Sequence, residues 1–222
     1  MVDILRQHNV IRILLLTALL LLLIIVVSFG KIREIANPDL DNFGPVPEFR
    51  LLDAKGQFWN PSDFGDSIVV LSFLYTKCLD TCPLLINRLS FLHKELTTKG
   101  LFRGNLLFAS IVLDPELLSP EEMVKYQRSA NMNENNWILL TGTREELKSL
   151  VTDGLKLAFS VEPSIHTHSD GSLHRHADGP LAIAHSNRFI LIDDSRNIRR
   201  YYDGLTLNID DLIQDINTVR RD

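Results

Sequence analysis

Residues 68–83 read IVVLSFLYTKCLDTCP and predict a buried strand that runs directly into a helix. The first eight of these residues are mostly β-branched, leucine or aromatic, which is typical of a strand covered on both faces. Leucines then recur at helical spacing up to Leu96. Cys78 and Cys82 therefore fall at a strand-to-helix junction.

Strand and helix patterns alternate on both sides of this junction. The predicted strands are residues 49–52 and 57–59 as a hairpin, 106–113, 137–140, and 188–192 with 198–202 as a second hairpin. Predicted helices begin after Ser119 and after Thr143, which forms a capping box with Glu146, and residues 210–219 form a closing amphipathic helix. This order predicts a three-layer α/β sandwich around a mixed, mostly parallel sheet.

The two cysteines are the only ones in the chain and are spaced C-x-x-x-C. On a helix this spacing places both on one face. The helix N-terminus and Lys77 both favour a thiolate, so we expect a lowered thiol pKa. Three interpretations remain open: a static disulfide or two reduced buried thiols, a redox dithiol, and ligation of a soft metal such as copper, the last being favoured.

A third metal ligand has to come from elsewhere in the chain. His8 precedes the apolar N-terminal segment, and His93 lies within the first predicted helix, as a residue of its surface or of the boundary with the core. His185 is better placed because residues 182–186 lead into a late strand, which in a thioredoxin-type sheet enters beside the cysteine-bearing helix. Taken alone, His185 would more often be a hydrogen-bonded structural histidine, but the two cysteines favour its interpretation as the third metal ligand.

Residues 162–184 interrupt the alternation and are predicted to be a long polar loop. The loop contains two H-x-H pairs, His166 with His168 and His174 with His176. Such clusters bind Cu(II), zinc or nickel weakly, so we expect either a secondary copper-loading site or a solvated loop without a metal.

Two carboxylates accompany the cysteines in the sequence. Asp80 lies between them and could tune their charge or contact a partner. Asp114 ends the second buried strand, at the sheet edge where ligands of open α/β folds gather, although an Asp before a proline is also an ordinary turn residue. Tyr201 and Tyr202 are interpreted as sheet packing.

The N-terminus predicts a membrane anchor. Residues 13–29 carry no charge and are just long enough to span a bilayer, with a cleaved signal peptide as the alternative. The predicted organisation is an anchor at 1–30, a tether at 31–47 and one folded domain at 48–222. The net charge of −5 argues against a nucleic-acid partner.

Several motifs together resemble the SCO/SenC family. They are YTKCLDTCP at 75–83, SIVLDP at 110–115, WILLTG at 137–142, His185-Ser186 and RRYYDG at 199–204. The similarity covers about residues 43–217. Two features depart from the family: Leu79 stands where the family often has proline, and the histidine-rich segment is longer and richer in His than expected.

The resemblance implies a thioredoxin-like domain on a single membrane anchor, with copper bound by Cys78, Cys82 and His185. It implies that the protein helps to build the dinuclear copper centre of cytochrome c oxidase, with the copper-bearing subunit and other copper chaperones as partners. The alternative is an enzyme, a thiol–disulfide oxidoreductase that uses Cys78 and Cys82 as its redox pair. The expected location is the bacterial inner membrane facing the periplasm, ahead of the mitochondrial intermembrane space.

Overall fold

The computed structural model describes the chain in two compact units, residues 1–39 and 40–222. The described residues are 15–24, 40–76, 78, 81–101, 106–114, 119–132, 135–163, 165–167, 173–175 and 181–220. For 160–185 the description covers the backbone only. The second unit begins at Leu40, so residues 40–47 of the predicted tether are part of it.

In the first unit, residues 15–24 form helix α1. The rest of the predicted span at 13–29 lies outside the described residues. Within the described part of the chain, no helix reaches the length and apolarity needed to cross a membrane. The membrane anchor stays a prediction.

The second unit is built on a seven-stranded mixed sheet in the order β11-β10-β3-β4-β5-β1-β2. Strands β3, β4 and β5 are parallel, and the outer pairs are antiparallel. The seven strands are β1 (Leu51–Asp53), β2 (Phe58–Trp59), β3 (Ile68–Leu74), β4 (Leu106–Val112), β5 (Trp137–Thr141), β10 (Arg188–Ile192) and β11 (Ile198–Asp203). The predicted mixed α/β sandwich is confirmed.

Alternating residues of β3 enter two separate cores, because successive side chains of a strand point to opposite faces. Val70 and Leu74 pack into the first core with leucines of α2 (Thr81–Thr98) and α5 (Ile209–Val219). Val69 and Phe73 pack into the second, against Leu147 and its neighbours. All seven residues of β3 are buried, as the apolar run predicts.

The other helices start at the predicted caps. In α3 (Pro120–Ser129), the Ser119 hydroxyl accepts from the backbone N–H of Glu122, and in α4 (Arg144–Lys148) Thr143 does the same for Glu146. Each capping box satisfies backbone donors that a helix N-terminus otherwise leaves unpaired. Helix α4 continues into a π-helical turn at Ser149–Gly154.

The first residues of the unit are fixed to the β10–β11 hairpin. Phe43 N–H donates to the Ile198 carbonyl at 2.9 Å, and Val46 N–H donates to the Arg196 carbonyl at 2.9 Å. The buried Arg199 guanidinium bonds Asp193 Oδ2 at 3.2 Å and donates to the carbonyls of residues 40 and 41 at 3.0 Å each. This Arg199 contact holds the entering chain in place.

The prediction of a long loop at 162–184 is wrong. The segment contains four strands: β6 (Phe159–Pro163), β7 (Ile165–Thr167), β8 (Leu173–Arg175) and β9 (Leu181–His185). β6 pairs with β9 and β7 pairs with β8, both antiparallel. The strands are only three to five residues long, too short for an alternating apolar pattern to predict them from the sequence.

Candidate metal centre

The candidate site lies at the edge of the sheet where β3 and β4 end. Leu74 is in register with Val112, and Leu113 N–H donates to the Leu74 carbonyl at 2.8 Å. The chain leaving β3 carries Cys78 and enters α2 with Cys82 in its first turn. The strand-to-helix junction predicted from the sequence is confirmed.

Cys82 is buried where α2 begins at this edge of the sheet. Its side chain is only 1% exposed, and its Sγ accepts from the Tyr75 backbone N–H at 3.4 Å. Burial raises the pKa of the Cys82 thiol to about 12, against the Tyr75 hydrogen bond, which lowers it. The expected lowered pKa is therefore wrong for Cys82, because desolvation of a thiolate outweighs the donor near the helix N-terminus.

Cys78 is half-buried and precedes the helix, which begins at Thr81. The expectation that both cysteines share a helical face is corrected accordingly. Cys78 Sγ accepts from the Cys82 N–H at 3.4 Å and lies 3.5 Å from Thr81 Oγ1. The two sulfurs are not joined in a disulfide. The Cys78 sulfur nevertheless contacts the backbone of Cys82.

The two thiols should differ in reactivity. A thiolate is the attacking form, and at pH 8 a thiol with a pKa of about 12 is ionised in roughly one molecule in ten thousand. We expect iodoacetamide to modify Cys78 at least about a hundredfold faster than the buried Cys82, as followed by peptide mass spectrometry over time.

Chemical denaturation is the control for this experiment, because both cysteines should then react at similar rates. Equal rates in the folded protein would contradict the burial of Cys82.

The raised pKa of Cys82 also affects the stability of the fold. The folded state binds the Cys82 thiol proton more tightly than the unfolded state, so the free energy of unfolding falls as the pH rises from 9.0 toward about 12.

Asp114 contacts the segment that carries Cys78 through both oxygens of its carboxylate. The residue is 4% exposed, and its Oδ1 accepts from the Thr76 N–H at 3.2 Å while its other oxygen accepts from the Thr76 hydroxyl. Cys78 N–H closes the turn by donating to the Tyr75 carbonyl at 3.1 Å. Asp114 thus fixes the segment that carries Cys78 to the end of β4.

Tyr126 is a site neighbour that sequence reasoning missed. It lies on α3, partly buried against the first core. Burial, and then the proximity of Cys82 and Asp114, raise the pKa of Tyr126 to about 12. Its position in the chain, more than forty residues from Cys82, gave no local signal of this proximity, because only the return of β4 and α3 brings it to this edge.

His185 ends β9, opposite Phe159. The Ser186 N–H then donates to the Ala158 carbonyl at 3.1 Å, and β10 begins at Arg188. In the antiparallel pair of β10 and β3, Ile190 faces Leu71, so continuing the register places Asn187 opposite Leu74. The backbone of His185 therefore arrives at the cysteine-bearing edge; its side chain lies outside the description.

The surroundings of Gly204 also show that the chain after His185 lies close to the cysteine-bearing helix. Its N–H donates to the Asn187 carbonyl at 2.7 Å. A Cβ at position 204 would lie 2.6 Å from Leu85 Cδ2 and 3.0 Å from the Asn187 carbonyl oxygen. The link after His185 and the second turn of α2 thus meet across a glycine, with no room for a side chain.

The remaining predicted site residues divide as follows. Lys77, Asp80, His8, His168 and His176 lie outside the described residues. His93 is half-buried, with Nε2 2.9 Å from Asn136 Oδ1, as a boundary residue should be.

Tyr202 packs in the sheet, as predicted, and its hydroxyl donates to Asp215 Oδ2 at 2.6 Å. Among the described side chains, no cluster of three or more His, Cys, Asp or Glu could hold a metal.

Known proteins resemble this arrangement in sequence and in structure. An SCO2-like protein of Rickettsia typhi is 24% identical over 163 residues, 73% of this chain and 72% of the relative. Arabidopsis thaliana ScoI, solved with copper bound, superposes with a TM-score of 0.64 at 19% identity, covering 81% of this chain and 100% of that one.

A third similar protein is BsSco, described as a member of the Sco family of cytochrome c oxidase assembly proteins with a disulfide switch. It superposes with a TM-score of 0.63 at 19% identity and covers 82% of this chain and 96% of its own. These structures share the fold with residues 40–222. The SCO1/SenC family model matches residues 40–221, and the chain therefore belongs to the SCO1/SenC family.

Proposed function

We propose that this protein is a membrane-anchored copper metallochaperone for the dinuclear copper centre of cytochrome c oxidase. Cys78, Cys82 and His185 bind the copper that it carries. One observation carries the proposal: β3, α2 and the β9–β10 link bring the two cysteines and the backbone of His185 to one sheet edge. His185 lies about a hundred residues after the two cysteines in the sequence, so only the fold can bring it to them.

The chemistry of the donors fits copper. Two thiolates and one imidazole are soft and borderline ligands that suit Cu(I), and the same set accommodates Cu(II). Cys82 holds its proton at neutral pH because it is buried, so a bound cation has to replace that proton. Structures of similar fold from Arabidopsis, Bradyrhizobium japonicum and yeast were solved with copper bound, which supports the assignment.

The location and partners complete the proposal. An apolar segment at 13–29 anchors the chain in the inner membrane, with the folded unit facing the periplasm. The copper-bearing subunit of cytochrome c oxidase receives the copper, and other copper chaperones supply it. The description of BsSco as a cytochrome c oxidase assembly protein supports the client.

The test is a Cu(I) titration of the full chain in detergent, under reduction and without oxygen, against a competing chelator. Loss of one of three ligands in His185→Ala should weaken binding by about a hundredfold, or about 2.8 kcal/mol. X-ray absorption should show the nitrogen ligand disappear while both sulfur ligands remain. Equal affinity of the two proteins would overturn the copper site as proposed.

A matched control is His93→Ala, because His93 is half-buried and bonded to Asn136 far along α2 from Cys82. This variant should bind Cu(I) like the wild type. A similar loss in both variants would indicate a general effect of removing a histidine.

The second candidate function is thiol–disulfide exchange with a client protein. It is favoured by the contact of Cys78 Sγ with the Cys82 N–H, which keeps the reduced pair together. The disulfide switch described for BsSco is consistent with it. Such a reductase needs only the cysteines, so His185→Ala should leave the rate of disulfide reduction unchanged while copper affinity falls.

A further inference from the structure

The ribbon formed by β7 and β8 places two histidines directly opposite each other. Ile165 pairs with Arg175, His166 with His174 and Thr167 with Leu173. The sequence alone presents these histidines as members of two separate H-x-H pairs, eight residues apart. The strand register makes one cross-strand pair of them.

Directly opposite residues of an antiparallel pair belong to the same face of the ribbon. Their Cβ atoms are about 4.5–5.5 Å apart, so side chains at these positions interact. Metal–nitrogen bonds to imidazole are about 2.0–2.1 Å long. The spacing of directly opposite positions is therefore compatible with two imidazole ligands to one ion.

We propose that His166 and His174 form a second metal site, which chelates a divalent d-block ion. Imidazole nitrogen suits Cu(II), Ni(II) and Zn(II), and Cu(II) is bound most tightly of these by a given nitrogen site. The site goes beyond the proposed copper-carrying function, since it requires neither cysteine. A site of nitrogen ligands alone differs in chemistry from the thiol site, which favours the softer Cu(I).

This second site is separate from the first in the strand ladder. His185 lies opposite Phe159 at one end of the β6–β9 ribbon, whereas Pro163 and Leu181 close its other end. His166 comes three residues after Pro163, on the next ribbon. The two sites therefore occupy different register positions and can be tested independently.

The experiment uses the full chain in detergent with Cys78→Ser, Cys82→Ser and His185→Ala combined, so that the first site contributes nothing. Cu(II) is titrated against glycine as competitor, and electron paramagnetic resonance reports nitrogen ligation. We expect one bound Cu(II) with two nitrogen ligands. His166→Ala and His174→Ala should each lower the affinity at least tenfold, and together should lower it little further.

A register-exchange variant is the sharpest control. Ile165→His/His166→Ile keeps the composition but moves the histidine opposite Arg175, on the other face of the ribbon. It should lose affinity as His166→Ala does, whereas His93→Ala should not. Circular dichroism confirms that each variant keeps its fold.

Retained Cu(II) affinity in the exchange variant, or in either single alanine variant, would overturn the paired site. Failure of the first copper site leaves this result unaffected, since the background lacks it. The two proposals are therefore tested independently.

Discussion

Cys82→Ser is expected to reduce the Cu(I) affinity of the full chain about a thousandfold or more, which is about 4 kcal/mol. Serine keeps the shape of the side chain and a hydroxyl that can accept the Tyr75 N–H, so the fold should persist. Its oxygen is a hard, neutral ligand, and a soft ion loses one of its two thiolates. A competition titration measures the change.

Thr81→Ser is the matched control, because it removes one methyl group beside Cys82, keeps the hydroxyl that lies 3.5 Å from Cys78 Sγ and leaves both thiols intact. It should bind Cu(I) within about twofold of the wild type, less than about 0.5 kcal/mol. If Cys82→Ser bound as tightly as Thr81→Ser, the ion would be held without Cys82. Both candidate functions need Cys82, so this result tests the site, and His185→Ala separates the functions.

Arg199→Ala is expected to lower the free energy of unfolding by about 3–5 kcal/mol. The guanidinium and the Asp193 carboxylate are both buried, at 9% and 8% side-chain exposure. Removing one partner leaves a buried carboxylate without its cation. It also leaves two backbone carbonyls, of residues 40 and 41, without their donor. Urea denaturation followed by circular dichroism measures the loss.

Arg188→Ala provides the comparison within the same hairpin. Arg188 is exposed on β10, and its removal should change stability by no more than about 0.5 kcal/mol. Arg199→Lys should fall between the two, because lysine keeps the charge but lacks the planar fork that reaches several acceptors. Equal losses for Arg199→Ala and Arg188→Ala would mean that the buried pair contributes nothing specific.

The core fold could be predicted because local patterns and tertiary packing agree. The β3 run has to be buried on both faces, and the caps at Ser119 and Thr143 start helices where they were expected. The two ribbons β6–β9 and β7–β8 could not, because their strands are only three to five residues long and lie in a segment whose composition is that of a loop.

The sequence predicted which residues form the candidate site better than it predicted their pKa values and contacts. The cysteine spacing and the entry of His185 into a late strand were visible in the sequence. The high thiol pKa of Cys82 was not, since it depends on how deeply the first turn of α2 packs. The roles of Thr76 and Tyr126 depend on contacts with Asp114 and Cys82 that only the assembled sheet creates.

Gly204 illustrates the same limit. In the sequence it is one residue of a motif shared with a family. In the structure, its missing side chain allows the backbone at Asn187 and the Leu85 side chain of α2 to lie on either side of it.

The chain enters the folded unit at the end of the sheet away from the cysteines. Residues 43–46 pair with the turn between β10 and β11, where Ile192 faces Val69 near the start of β3. β3 runs from there to the cysteine-bearing edge over about 20 Å. The contacts that fix residues 43–46 and the edge that carries the thiols therefore lie at opposite ends of β3, so either can be altered by mutation without touching the other.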